Sequence, residues 1–157
     1  MPDLAEQTIN IVRQEYQGDI QDAGTMGLHE VVFTVPAGDI VAFATYVLNR
    51  GWWHLATISG QDLGEVIQLL YHFNANEPPS VTIKTSVPKA APKIASITPA
   101  IPAATMYERE VHDLLGVQFE GHPKLARLVL SDDWPDDVFP LRLEELAKQA
   151  ERDKEKE

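Results

Sequence analysis

Four prolines, Pro88, Pro92, Pro99 and Pro102, fall between residues 88 and 102 among Ala, Lys, Ser and Thr. A proline supplies no N–H to a sheet ladder, and its ring clashes with the preceding helical turn. This stretch therefore forms neither a central strand nor a helix, and is expected to cross the domain as a connector. It separates two patterns. Before it, apolar residues recur at strand and helix periods; after it comes one short charged helix and then a segment broken by Gly121, Pro123, Pro135 and Pro140.

In the first pattern, Leu4, Thr8, Ile11, Val12 and Tyr16 lie at helical spacing up to Gly18, predicting an amphipathic helix over residues 1–16. Residues 30–35 alternate and are β-branched, and residues 36–39 punctuate them. Ile40, Phe43, Ala44, Val47 and Leu48 then resume a helical period as far as Gly51. Residues 52–59 and 65–74 read as a β-hairpin about a turn at 60–64, with Ile67, Leu69, Tyr71 and Phe73 on one face. Val81, Ile83, Thr85 and Val87 make a further period-two run, expected to be a third antiparallel neighbour.

In the second pattern, Thr105 and Glu108 are spaced as a capping box, each side chain reaching the other's backbone N–H. Tyr107, Val111, Leu114 and Leu115 give that helix an apolar stripe, and Gly116 suits the left-handed position that ends it. Residues 125–130 read as a brief strand or an extended arm. The last fourteen residues hold six acids and four bases, which predicts a solvated helical extension or a frayed end without assigned function. The expected fold class is α+β, a mostly antiparallel sheet with flanking helices followed by an extended irregular C-terminal arm. Its boundaries are a 1–87 α/β domain, an 88–104 connector, a 105–143 helix and arm within the same domain, and a 144–157 charged tail.

Composition removes several functions. The net charge is −11 and no cluster of basic residues stands outside the mixed-charge tail, so nucleic acid is not an expected partner. No apolar run approaches the roughly 20 residues of a bilayer span. The acidic opening residues lack the pattern of a secretion signal, so a cytoplasmic location is expected. With zero cysteines there are no disulfides, no thiolate nucleophile and no cysteine-ligated zinc or iron–sulfur cluster in this chain.

Few residues suggest chemistry. Glu108 and His112 share a helix face, with His122 ten residues on, and this trio is the candidate for a metal; local hydrogen bonding is the commoner use of such groups. Arg109 among Glu108, Glu110 and Asp113 suits a forked carboxylate pair, within the domain or across an interface, against a solvated helix face. Asp132, Asp133, Asp136 and Asp137 bracket Trp134 without the glycine and glutamate offsets of a calcium loop, so they read as a surface loop with one aromatic anchor. There is no glycine-rich phosphate cradle and no nucleophile elbow.

One longer string is specific: residues 107–117 (YEREVHDLLGV), then Phe119-Glu120-Gly121-His122-Pro123, Arg127-Leu128, Asp132-Asp133-Trp134-Pro135 and Pro140-Leu141-Arg142. It resembles the thirty-kilodalton subunit family of respiratory complex I and of the related membrane-bound nickel–iron hydrogenases. The order and spacing of residues 55–59 and 70–73 extend the resemblance back to about Leu28. Met106 stands where a Trp is common, and Leu143-Glu144-Glu145 replaces the usual Lys-Asp-Phe.

The resemblance implies a cofactor-free, non-catalytic subunit on the cytoplasmic face of a membrane-associated oxidoreductase. Its arm would wrap a large catalytic-type subunit beside an iron–sulfur subunit. Iron–sulfur clusters and, in the hydrogenase branch, a nickel–iron site would lie in those partners. It further implies partner-interface or helix-anchoring roles for Glu108, Arg109, Glu110, Asp113, Phe119, His122, Pro123, Arg127, Leu128, Asp133, Trp134 and Arg142, with Phe119, Leu128 and Trp134 as anchors. His112 and the compact length resemble hydrogenase-type members more than quinone-reducing ones. The competing readings are a stand-alone metal-dependent enzyme and a transient assembly adaptor.

Overall fold

The period-two runs become a five-stranded sheet. The computed structural model describes residues 3–156, so Met1 and Pro2 of the first predicted helix and Glu157 of the tail lie outside the described residues. Strands β1 (Asp22–Met26), β2 (Glu30–Thr34), β3 (His54–Asp62), β4 (Val66–Asn74) and β5 (Ser80–Pro88) take the order β1-β2-β5-β4-β3. Every pairing is antiparallel except β2 with β5, which run parallel and bring the two halves of the sheet together. The hairpin expected at residues 52–74 and its third neighbour are present, with the turn shortened to the residues between Asp62 and Val66. β1 was not anticipated. Its residues show no alternation, and as an edge strand it buries none of them, so period carries no signal there.

Register aligns Phe33, Ile83, Tyr71 and Ile58 across four strands, and all are buried. Helices cover this face. α1 (Leu4–Glu15) begins with Asp3 accepting the Glu6 N–H at 2.8 Å, and it buries Ala5, Thr8 and Val12. α2 (Ile40–Asn49) follows a short 3₁₀ turn and sets Phe43 edge-on to Phe33, ring centroids 5.5 Å apart. α3 (Ala104–Leu115) crosses β3, where Gly60 makes room for Leu115; a Cβ on Gly60 would stand 2.5 Å from the leucine methyl.

The opposite face of the sheet is polar. Thr82 donates its one proton to Glu30 at 2.5 Å, so its oxygen accepts from His72 Nδ1 at 2.8 Å. His72 Nε2 in turn lies 3.2 Å from the Ser59 hydroxyl. This line ties β2, β5, β4 and β3 side by side.

The proline-rich stretch crosses the domain with one short strand, β6 (Lys93–Ala95), which pairs parallel with β7 (Gln118–Glu120) beyond α3. The expected capping box does not form. Helix α3 starts at Ala104, the Thr105 hydroxyl donates to the Pro102 carbonyl at 2.7 Å, and Glu108 turns inward. Gly116 does end α3 in the left-handed region, at φ 77°. Residues 121–142 form no strand. They lie along the chain's own α3, and the tail continues as α4 (Leu143–Lys154), the helical alternative of the two expected.

Candidate docking site

Helix α3 and the strap of residues 121–142 form the region that the sequence singled out. Glu108 is fully buried, and the chain itself supplies its partners. Oε1 accepts the Ile97 N–H at 2.8 Å, while Oε2 accepts the hydroxyls of Ser96 at 2.5 Å and Thr98 at 2.9 Å. A buried carboxylate is tolerable because donors converge on it. It thereby pins the connector to α3. Tyr71, also fully buried with its hydroxyl unpartnered, has its ionisation pushed up first by burial and then by the Glu108 charge.

Asp113 does the same for the strap. One carboxylate oxygen accepts the backbone N–H groups of Leu128 and Val129 at 2.8 Å each and of Leu130 at 3.3 Å. Burial raises the Asp113 carboxyl, but these three donors and the neighbouring His112 outweigh it and hold the group below the usual carboxylate range. Arg109 reaches the two carbonyls just before, donating from Nε to Ala126 at 2.9 Å and from Nη2 to Arg127 at 2.6 Å. One helix turn thus satisfies successive carbonyls and amides of an irregular backbone that has no ladder of its own.

Further along, Arg127 closes the acidic loop by donating to the Ser131 carbonyl and to Asp136, at 2.6 and 2.7 Å. The exposed Asp133 is held low chiefly by the Ser131 side chain. Trp134 is half-buried and donates to the Val138 carbonyl at 2.8 Å. Arg142 stacks over the Phe139 ring and donates to the Leu115 carbonyl at 2.9 Å, so the strap returns to the end of α3.

The twelve residues expected to anchor the helix or meet a partner therefore divide. Glu108, Asp113 and Phe119 are buried, and the His122 side chain is enclosed, with Nε2 donating to the Thr105 carbonyl and Nδ1 accepting the Lys124 N–H. Phe119 belongs to the core on β7, so its side chain is not exposed toward another chain. Arg109, Glu110, Arg127, Leu128, Trp134 and Arg142 are half-buried, and Pro123 and Asp133 are exposed. The outward apolar groups that sequence reasoning passed over are Val129 and Leu141, 55% and 41% exposed.

Glu108, His112 and His122 do not converge as a metal site. The Glu108 oxygens are occupied, His122 stands 3.9 Å away, and His112 Nδ1 serves the Val117 carbonyl at 2.8 Å. Among the described residues no group of three or more His, Asp or Glu is placed to hold a metal ion, and no helix is long and apolar enough to cross a membrane.

The class defined by this fold and site is an α+β domain, covered by helices on one sheet face, whose charged helix serves to support its own irregular strap. The chain belongs to the family of the 30 kDa subunit of respiratory-chain NADH dehydrogenase, whose model matches residues 33–151. It is 33% identical over 112 residues to an NADH-quinone oxidoreductase subunit of Moorella thermoacetica, covering 69% of this chain and 76% of that one. It is 30% identical over 147 residues to formate hydrogenlyase subunit 5 of Escherichia coli K12, covering 88% of this chain. There it spans only 25% of the relative's length. A polypeptide of the membrane-bound sulfane sulfur reductase, an archaeal respiratory membrane complex, superposes with a TM-score of 0.75 at 25% identity, covering 93% of this chain and 90% of that one.

Proposed function

We propose that this chain is a structural, cofactor-free subunit in the peripheral arm of a complex I-related, membrane-bound oxidoreductase, on the cytoplasmic face. Its strap seats on the large catalytic-type subunit, beside an iron–sulfur subunit. Clusters, and in the hydrogenase branch a nickel–iron centre, belong to those partners. The contribution of this chain is geometric: it keeps its neighbours aligned for electron transfer.

The observation that carries this proposal is the division of labour in the strap. Backbone groups of residues 126–130 are satisfied from below by Arg109 and Asp113, while Val129 and Leu141 face outward. The segment is ordered by polar bonds and so keeps apolar side chains for another surface, where a few anchors supply most of the binding energy. The match to formate hydrogenlyase subunit 5 adds support, since the matched region there shares a polypeptide with a remainder about three times longer. His112 within the Glu-Arg-Glu-x-His-Asp string supports the hydrogenase branch.

The test is mass spectrometry of what an affinity-tagged chain retains from gently solubilised membranes of its native host. Recovery of a large subunit with nickel-binding cysteine pairs supports the hydrogenase branch, and recovery with quinone-linked subunits the complex I branch. Recovery of no oxidoreductase subunit overturns the proposal.

A further inference from the structure

The charged tail is attached to the domain in an unusual way. Helix α4 buries none of its residues, and Arg142 at its N-cap gives no side-chain bond to the first turn. The cap comes instead from Asp62, at the far end of β3 and 81 positions earlier, whose Oδ2 accepts the Leu143 N–H at 3.0 Å. Its other oxygen accepts the Gly64 N–H at 2.8 Å, fixing the carboxylate on the turn between β3 and β4. Lys89, one residue past β5, bridges the two elements: Nζ lies 2.6 Å from Asp62 Oδ2 and 2.7 Å from Glu144 Oε2 in the first turn of α4.

The Asp62 carboxylate is wholly enclosed, Lys89 is one-fifth exposed and Glu144 half-exposed. Glu144 and Asp62 also place negative charge at the helix N-terminus, where the unpaired N–H groups favour it. Beyond this first turn packing gives out. A cavity of about 320 Å³ separates Glu145, Gln149 and Arg152 of α4 from Trp134 and Pro140 of the strap. A twelve-residue helix with so little burial is marginal in water, so its order depends on how its first turn is held.

We propose that Asp62, Lys89 and Glu144 form a latch that holds the C-terminal helix α4 as a detachable element. The helix orders or releases as a unit about Leu143, and the five-stranded sheet does not change when it does. Lys89 is the one cation between two carboxylates: without it, the enclosed Asp62 faces Glu144 with no positive charge between them, and the cap itself is weakened.

Hydrogen exchange by mass spectrometry on the full chain tests this, comparing the native sequence with Asp62→Asn and Lys89→Met. The amide of Asp62→Asn can still serve Gly64 through its oxygen but presents N–H to the Leu143 amide. Lys89→Met leaves the carboxylate and its turn intact, and decides the matter if Asp62→Asn fails to fold. The expected result is exchange about five- to tenfold faster over residues 143–154 in both variants, the size of a lost helix cap, with β4 amides unchanged. Unchanged exchange over 143–154 overturns the latch. So does acceleration in Asp62→Asn alone, which reduces the device to a cap, and so does equal acceleration of 143–154 and β4, which makes α4 part of one cooperative fold.

Discussion

Asp113 is where sequence and structure diverge most usefully. Read along the chain it is one acid among three on a charged helix; in the fold its single oxygen Oδ2 gathers three consecutive strap amides. Its carboxyl lies below the ordinary range in the folded state and returns to about 3.9 when the chain unfolds. The folded state therefore binds fewer protons, and the stabilisation is complete above the unfolded value and is lost as pH falls through the folded one. Asp113→Asn is expected to be less stable than the native chain near neutrality, with the gap closing as the solution is acidified below about pH 4. Urea unfolding at a series of pH values reads this directly. A gap that stays constant down to about pH 2 would mean that the Asp113 charge plays no part. Glu108 teaches the same lesson about side chains: its spacing from Thr105 suggested a helix cap, yet three donors on a loop ten to twelve residues earlier hold it more completely.

At the scale of elements, legibility followed burial. β4 and β5 alternate because one face lies under helices, and α1 and α2 carry stripes for the same reason. β1 has no buried face and so had no period to display, whereas Leu143, Leu146, Ala147 and Ala150 of α4 recur at helical spacing although the helix buries none of them. Gly116 was legible through its chemistry, since ending a helix in the left-handed region is a glycine's role. The structure adds a second demand. A Cβ there would lie 2.7 Å from the Phe139 ring and 2.8 Å from the Arg142 guanidinium. Gly116→Ala is therefore expected to lower the unfolding free energy by at least the roughly 1–2 kcal/mol of a left-handed alanine. It should also loosen residues 139–142, seen as faster limited proteolysis there. A variant with native stability and native proteolysis would show that the strap return does not depend on this close approach.

For the whole molecule, the strap's two sides have separable duties, and a substitution can address one without the other. Val129 gives its backbone N–H to Asp113 but leaves its side chain 55% exposed. Val129→Gln should therefore shift the unfolding free energy of the isolated chain by no more than about 0.5 kcal/mol. It should nonetheless reduce recovery of the large subunit from solubilised membranes. Full recovery with this variant would remove Val129 from the interface. The sequence by itself determined the alternating strands, the amphipathic helices, the proline-rich crossing and the residue string that places the chain in its family, because these are local periods and local strings. Only the tertiary structure decided that β2 and β5 run parallel, that Glu108 faces inward, and that Asp62 caps a helix 81 residues away. A period tells which residues share a face, but the donors that meet a buried carboxylate come from whatever segment the fold brings alongside, and spacing along the chain does not encode that meeting.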